Sequence, residues 1–91
     1  MTTKHLIIAG HVQGVGFRDW LTAAARDTGI SGWVRNRRDG TVEALLSGDT
    51  DAVEDLAQAC RRGPRMAVVT DITETLADPP PTPGFVKLPT A

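Results

Sequence analysis

The chain of 91 residues is long enough for one small domain, and we predict a single domain over residues 1–91. A hydrophobic content of 41% with 23% charged residues is typical of a globular protein and excludes a disordered chain. Ten basic and eleven acidic residues give a formal net charge of −1, which excludes a positive overall field that would attract nucleic acid or an anionic membrane.

The first predicted elements are a strand, a glycine-containing loop and a helix. Leu6–Ala9 is a short apolar run that ends at Gly10, as a buried strand does where it meets a loop. Residues 11–17 include two more glycines and lead into an alanine-rich segment, Arg18–Thr28, for which we predict a helix with Gly29 just after its end. The loop therefore precedes the N-terminus of a helix.

A β-hairpin is predicted in the middle of the chain. Ile30–Arg37 and Thr41–Ser47 are extended in character, and Asp39-Gly40 between them is a dipeptide that hairpin turns prefer. In the second strand, alternation predicts one well-buried face and one partly covered face. The first face carries Val42, Ala44 and Leu46, and the second carries Thr41, Glu43 and Leu45.

The second predicted helix follows Gly48 and ends at Gly63-Pro64. Three residues can serve as its N-cap, namely Asp49, Thr50 and Asp51. Its apolar residues recur at helical spacing and must face the sheet: Val53, Leu56, Ala57 and Cys60.

The last part of the chain predicts one long strand and a short one. Met66–Leu76 alternates as a strand does, and residues 78–84 form a proline-rich linker because prolines lack the amide donors of a strand or helix. Phe85–Leu88 can add a short fifth strand at an edge. The order βαββαβ predicts a ferredoxin-like α+β sandwich, with two helices on one face of a mainly antiparallel sheet.

A phosphate-binding loop is predicted where the first strand meets the first helix. Successive backbone amides and the positive end of a helix converge at such a turn. Arg18 then offers a planar fork of donors that suits two phosphate oxygens. The alternative is that the glycines only permit a tight turn and that Arg18 is a surface residue. The predicted loop consists of Gln13, Gly14, Val15, Gly16 and Phe17.

Asn36 is a second candidate because it falls at the end of a strand, beside the hairpin turn. Its uncharged amide can hold a water through the carbonyl oxygen and still donate to a developing charge. The alternative is that Asn36 only caps the turn, a common role for asparagine.

Together the two segments resemble the signatures of the acylphosphatase family. The first, Gly10 to Arg18, reads GHVQGVGFR, and the second, Gly32 to Glu43, reads GWVRNRRDGTVE and continues to Gly48. The resemblance covers about Leu6 to Leu76. Family members commonly end in an aromatic-containing strand, and in some the terminal carboxylate lies near the catalytic arginine, so the proline-rich C-terminal segment leaves that contact open.

The resemblance implies a hydrolase that splits acyl phosphates into a carboxylate and inorganic phosphate. Arg18 and the loop would bind the phosphate, and Asn36 would position the water that attacks it directly. The implied chemistry uses no metal ion and no cofactor. The implied substrate is a small molecule, and inorganic phosphate is the expected product and competitive inhibitor. The motifs contact only the phosphate and the water, so they do not identify the physiological acyl phosphate.

Other features bear on location and partners. One cysteine excludes an internal disulfide framework, and with only two histidines it cannot make a zinc site. The N-terminal apolar run is too short for a signal-peptide core or a membrane span. We therefore expect a cytoplasmic monomer that binds neither nucleic acid nor membrane. Arg35, Arg37 and Arg38 either steer anionic substrate or form a solvated hairpin face.

Two other functions fit the same fold. An RNA-binding sheet would need aromatic residues on central strands and a basic surface, which this composition does not favour. A regulatory or carrier-type domain would keep the phosphate site, and similar domains occur within larger proteins that process carbamoyl phosphate.

Overall fold

Five strands and two helices form the fold, and a computed structural model describes all 91 residues of the chain. The elements in chain order are β1 (Thr2–His11), α1 (Phe17–Asp27), β2 (Ser31–Asn36), β3 (Val42–Gly48), α2 (Thr50–Cys60), β4 (Val68–Leu76) and β5 (Phe85–Lys87). Neither helix is long and apolar enough to cross a membrane.

All five strands belong to one sheet in the order β4-β1-β3-β2-β5. Every neighbouring pair is antiparallel except β2 and β5, which run parallel. Helix α1 packs on β2 and β5, and α2 packs on β1 and β3. This arrangement confirms the ferredoxin-like sandwich and the fifth edge strand.

Strand β1 is longer than the apolar run predicts. The sequence indicates Leu6–Ala9, whereas the strand extends from Thr2 to His11. It lies between β3 and β4. Thr2 and Thr3 are held extended by pairing with β3, and Ala9 to His11 by pairing with β4. Tertiary pairing therefore overrides the weak local preference at both ends.

The core lies between the helices and one face of the sheet. Leu6, Ile8, Val34 and Leu46 are fully buried there, and so are the α2 residues Val53 and Cys60, which confirms the predicted apolar stripe. The opposite face of β3 is more buried than predicted, because β1 and β2 flank it on both sides. Glu43 and Leu45 on that face are each only 8% exposed.

Helix boundaries follow local capping chemistry. Asp49 is the N-cap of α2, and its carboxylate accepts a hydrogen bond of 3.2 Å from the backbone N–H of Ala52. Among the three predicted caps, the structure therefore selects the first. Helix α1 ends at Asp27, and the backbone then turns through Thr28.

The C-terminal segment follows β2 beyond the end of β5. Residues 78–84 form neither helix nor strand, and β5 comprises Phe85–Lys87 rather than the predicted Phe85–Leu88. Beyond β5, the N–H of Leu88 donates to the carbonyl oxygen of Val34 at 2.9 Å, and the N–H of Ala91 donates to that of Asn36 at 3.0 Å. The segment therefore lies beside β2 as far as the hairpin turn.

Candidate active site

A polar pocket of about 220 Å³ lies where the loop before α1 meets the end of β2. It joins parts of the chain that are distant in sequence, because β2 brings its last residue beside the first turn of α1. The lining residues are Val12, Gly14, Gly16, Phe17, Arg18, Asp19, Asn36 and Lys87.

The loop before α1 presents free backbone donors to this pocket. Gly14 and Gly16 have φ angles of 73° and 79°, a left-handed conformation that is strained for other residues. Gly16 is the N-cap of α1, and no side chain caps this helix end. None of the N–H groups of residues 13–16 donates to a protein acceptor. These amides and the positive helix end can therefore bind an anion.

Arg18 lies in the first turn of α1, and its guanidinium makes no hydrogen bond or ion pair within the protein. The side chain is half-buried and lines the pocket. Its positive charge and its fork of donors are therefore unused by the protein. The C-terminal segment does not contact this side chain through a hydrogen bond, and the carbonyl oxygen of Ala91 instead accepts from the N–H of Arg38 at 2.9 Å.

Asn36 is the last residue of β2, and its side chain points to the same side of the sheet as Val34. Its backbone is fixed by pairing with Val42 in β3 and with Ala91 on the other side. The side-chain amide has no partner in the protein and lines the pocket that contains Arg18. Asn36 is therefore a rigidly placed polar group that is available to a ligand or a water.

Two residues of the predicted loop lie outside the pocket lining. The side chain of Gln13 turns to the hairpin, where its Nε2 donates to the carbonyl oxygens of Arg37 at 2.7 Å and Thr41 at 2.9 Å. Val15 is partly buried and packs against the core. Phe17 is 2% exposed and contacts Trp20 edge to face, with ring centroids 5.4 Å apart. The contacts of these side chains hold the loop in place.

Sequence reasoning missed two charged residues of the pocket, Asp19 and Lys87. The Nζ of Lys87 lies 2.5 Å from Oδ1 of Asp19, and this hydrogen bond lowers the pKa of the Asp19 carboxyl. The position of Asp19 next to Arg18 in the first helical turn is a signal that could have found it. Lys87 has no local signal, because it reaches the pocket only through the pairing of β5 with β2.

The basic run of the hairpin does not line the pocket. Arg35 points to the sheet face opposite the helices, where its Nε donates to Oε1 of Glu43 at 2.7 Å. Arg37 and Arg38 do not line the pocket either. In the whole chain, no group of three or more His, Cys, Asp or Glu side chains is placed to hold a metal ion.

Comparison with known proteins places this chain in a family. The acylphosphatase family model matches residues 4–87, which is nearly the whole chain. The chain belongs to the acylphosphatase family. The match continues past the proline-rich segment, whereas the sequence resemblance ends at about Leu76. The matched residues therefore include β5, the strand that carries Lys87.

Individual acylphosphatases agree in length and in structure. A relative named acylphosphatase from Acidiphilium cryptum is 64% identical over 87 residues, which is 96% of each chain. The crystal structure of acylphosphatase from Bacillus subtilis superposes with a TM-score of 0.90 at 35% identity, over 97% of this chain and 99% of that one. An acylphosphatase from Coxiella burnetii gives a TM-score of 0.91 at 29% identity, covering 96% and 92%.

Proposed function

We propose that this protein is an acylphosphatase, which hydrolyses the carboxyl-phosphate bond of acyl phosphates to a carboxylate and inorganic phosphate. One observation carries the proposal. Three kinds of polar group without a partner in the protein meet in one pocket: the loop amides, the guanidinium of Arg18 and the side-chain amide of Asn36. Family membership supports the same reaction.

The phosphoryl group binds to the loop of residues 13–17 and to Arg18. Backbone N–H groups donate to its oxygens, and the guanidinium adds a bidentate pair of donors and a full positive charge. These donors are fixed before the substrate arrives, so they stabilise charge on the phosphoryl oxygens without reorganising. Because the protein supplies this charge itself, the proposed mechanism requires neither a metal ion nor a cofactor.

Asn36 positions the attacking water. Its side-chain carbonyl oxygen accepts a hydrogen bond from the water, and its N–H₂ donates to a phosphoryl oxygen. The water oxygen forms a bond to phosphorus while the bond from phosphorus to the acyl oxygen breaks. The carboxylate leaves with the electron pair and needs no proton, because it is a weak base. The proton of the water passes to the product phosphate or to solvent.

We further propose that the enzyme is a cytoplasmic monomer whose substrate is a small molecule. The single cysteine can form no internal disulfide, which fits a reducing compartment, and the net charge does not favour nucleic acid. Inorganic phosphate is the product and should compete with the substrate, because it satisfies the same loop amides and Arg18.

The decisive experiment is hydrolysis of benzoyl phosphate by the purified protein in excess chelator. We expect rapid turnover of this anhydride, competitive inhibition by added inorganic phosphate, and no turnover of p-nitrophenyl phosphate, whose leaving group is poorer. A folded protein that shows no rate above background would overturn the proposal. Phosphate binding without turnover would then indicate a regulatory phosphate-binding domain.

A further inference from the structure

The side chain of Lys87 reaches the candidate active site from the edge strand. It lines the same pocket as Arg18 and Asn36. Strand β5 runs parallel to β2, and Lys87 pairs with Val34. Val34 lies two residues before Asn36 in β2, on the same face of the sheet. Its ammonium meets Asp19 on α1, and the stem therefore crosses from the sheet to the helix.

The ion pair with Asp19 leaves Lys87 available to another anion. The side chains of Lys87 and Asp19 are 49% and 76% exposed, so water competes for both charges. Such an exposed pair contributes little net free energy, because screening and the ordering of a long side chain offset the attraction. An anion that enters the pocket can therefore replace the carboxylate as the partner of Lys87.

The pocket contains a cation that the proposed phosphoryl site does not use. Arg18 and Lys87 are cations, and Asp19 is the only carboxylate among the lining residues. In the proposed function, Arg18 and the loop amides bind the phosphoryl group, which leaves Lys87 without a role. A lysine ammonium on a flexible stem acts as a mobile point charge, and it suits an anion whose position varies from one substrate to another.

We infer that Lys87 is a specificity-determining residue that favours acyl phosphates with a second anionic group, a carboxylate or a phosphate, on the acyl part. This inference rests on the proposed function, since Arg18, which would hold the phosphoryl group, and Lys87 line one pocket. The contribution is electrostatic and changes no covalent step. It should therefore weaken as ionic strength rises.

The test compares substrates that differ only in the second anion. Benzoyl phosphate is the reference, and 3-carboxybenzoyl phosphate and 3-phosphonobenzoyl phosphate distinguish the two kinds of anion. The readout is kcat/KM for each anionic substrate divided by kcat/KM for benzoyl phosphate, in the wild type and in Lys87→Met and Lys87→Arg. Lys4→Met is the matched control, because Lys4 is the only other lysine and lies near the start of β1, whereas the phosphate-binding loop follows the end of β1.

We expect the ratio for at least one anionic substrate to fall about three- to tenfold in Lys87→Met, to recover in Lys87→Arg, and to stay at the wild-type value in Lys4→Met. An unchanged ratio in Lys87→Met would overturn the inference, and so would an equal loss on all three substrates, which would place Lys87 at the phosphoryl group instead. Wild-type turnover of benzoyl phosphate tests the proposed function separately, so the two failures are distinguishable.

Discussion

The side-chain amide of Gln13 donates a hydrogen bond of 2.7 Å to the carbonyl oxygen of Arg37. A second bond from the same nitrogen, 2.9 Å long, reaches the carbonyl oxygen of Thr41. Gln13 belongs to the loop that precedes α1, and Arg37 directly follows Asn36. One side chain therefore links the backbone that would bind phosphate to the hairpin that carries the proposed water-positioning residue.

Replacing Gln13 should therefore impair activity through geometry. Gln13→Ala removes both hydrogen bonds, and we expect a loss of stability of about 1–2 kcal/mol. Because the loop and Asn36 would no longer be held at a fixed distance, kcat/KM for benzoyl phosphate should fall roughly 10- to 100-fold. Kinetics and thermal melting measure the two effects. The matched control is Gln58→Ala, at an exposed site without a side-chain hydrogen bond. Full activity in Gln13→Ala would show that the two hydrogen bonds of Gln13 do not position the site.

Arg18 should determine phosphate affinity without supporting the fold. Its guanidinium has no partner in the protein, so Arg18→Met should keep the melting temperature. We expect kcat/KM to fall by about 10²–10³ and the inhibition constant of inorganic phosphate to rise. Arg18→Lys should recover only part of the activity, because an ammonium cannot bind two oxygens in a fixed fork. Arg62→Met, at an exposed arginine without an ion pair, controls for the lost charge. An unchanged inhibition constant of inorganic phosphate in Arg18→Met would exclude the proposed role of Arg18.

Asn36 should affect turnover more than phosphate binding. In Asn36→Ala, we expect kcat to fall by about 10²–10³ while inhibition by inorganic phosphate weakens much less, because the loop and Arg18 remain. Asn36→Asp should in addition weaken phosphate inhibition, since a carboxylate repels the anion. Steady-state kinetics at several phosphate concentrations separate the two effects. Near-normal kcat in Asn36→Ala would contradict the assignment of the water-positioning role.

Local sequence signals located only part of this site. Gly14, Gly16 and Arg18 lie within five consecutive residues, and the hairpin turn marks the end of the strand that carries Asn36. A short stretch of sequence is therefore enough to predict each of these features. Lys87 was not, because its place depends on the parallel pairing of an edge strand that follows a proline-rich segment. The same limit applies to β1, whose first residues are extended because they pair with β3 and whose last residues because they pair with β4.

Glu43 should contribute stability that depends on pH. On the sheet face opposite the helices, its carboxylate lies 2.6 Å from Nε2 of His5 and 2.7 Å from Nε of Arg35, whose guanidinium is 5.0 Å from the ring of Trp33. Burial raises the pKa of Glu43, but the hydrogen bonds from His5 and Arg35 outweigh it and hold the pKa below the ordinary 4.5. A lowered pKa in the folded state stabilises the protein above the unfolded value, and this contribution is lost as pH falls through the folded value.

We therefore expect Glu43→Gln to cost about 1–3 kcal/mol near neutral pH, and we expect this difference from the wild type to shrink below pH 4.5. Urea unfolding at a series of pH values gives both curves. The control is Glu54→Gln, at an exposed carboxylate 3.5 Å from Lys4, where the cost should be close to zero. A difference that is constant over the whole pH range would show that the ionised carboxylate is not the source of the stability.

Cys60 should report global unfolding. Its thiol lies in the core on α2, and burial, with a smaller effect from the charge of Glu74, raises the pKa of Cys60 to about 12. Almost no thiolate is then present near neutral pH, and a disulfide reagent such as dithionitrobenzoate should label the protein only as fast as it unfolds. Labelling should therefore accelerate with urea in parallel with loss of helical circular dichroism. Rapid labelling of the native protein without urea would mean that α2 opens locally.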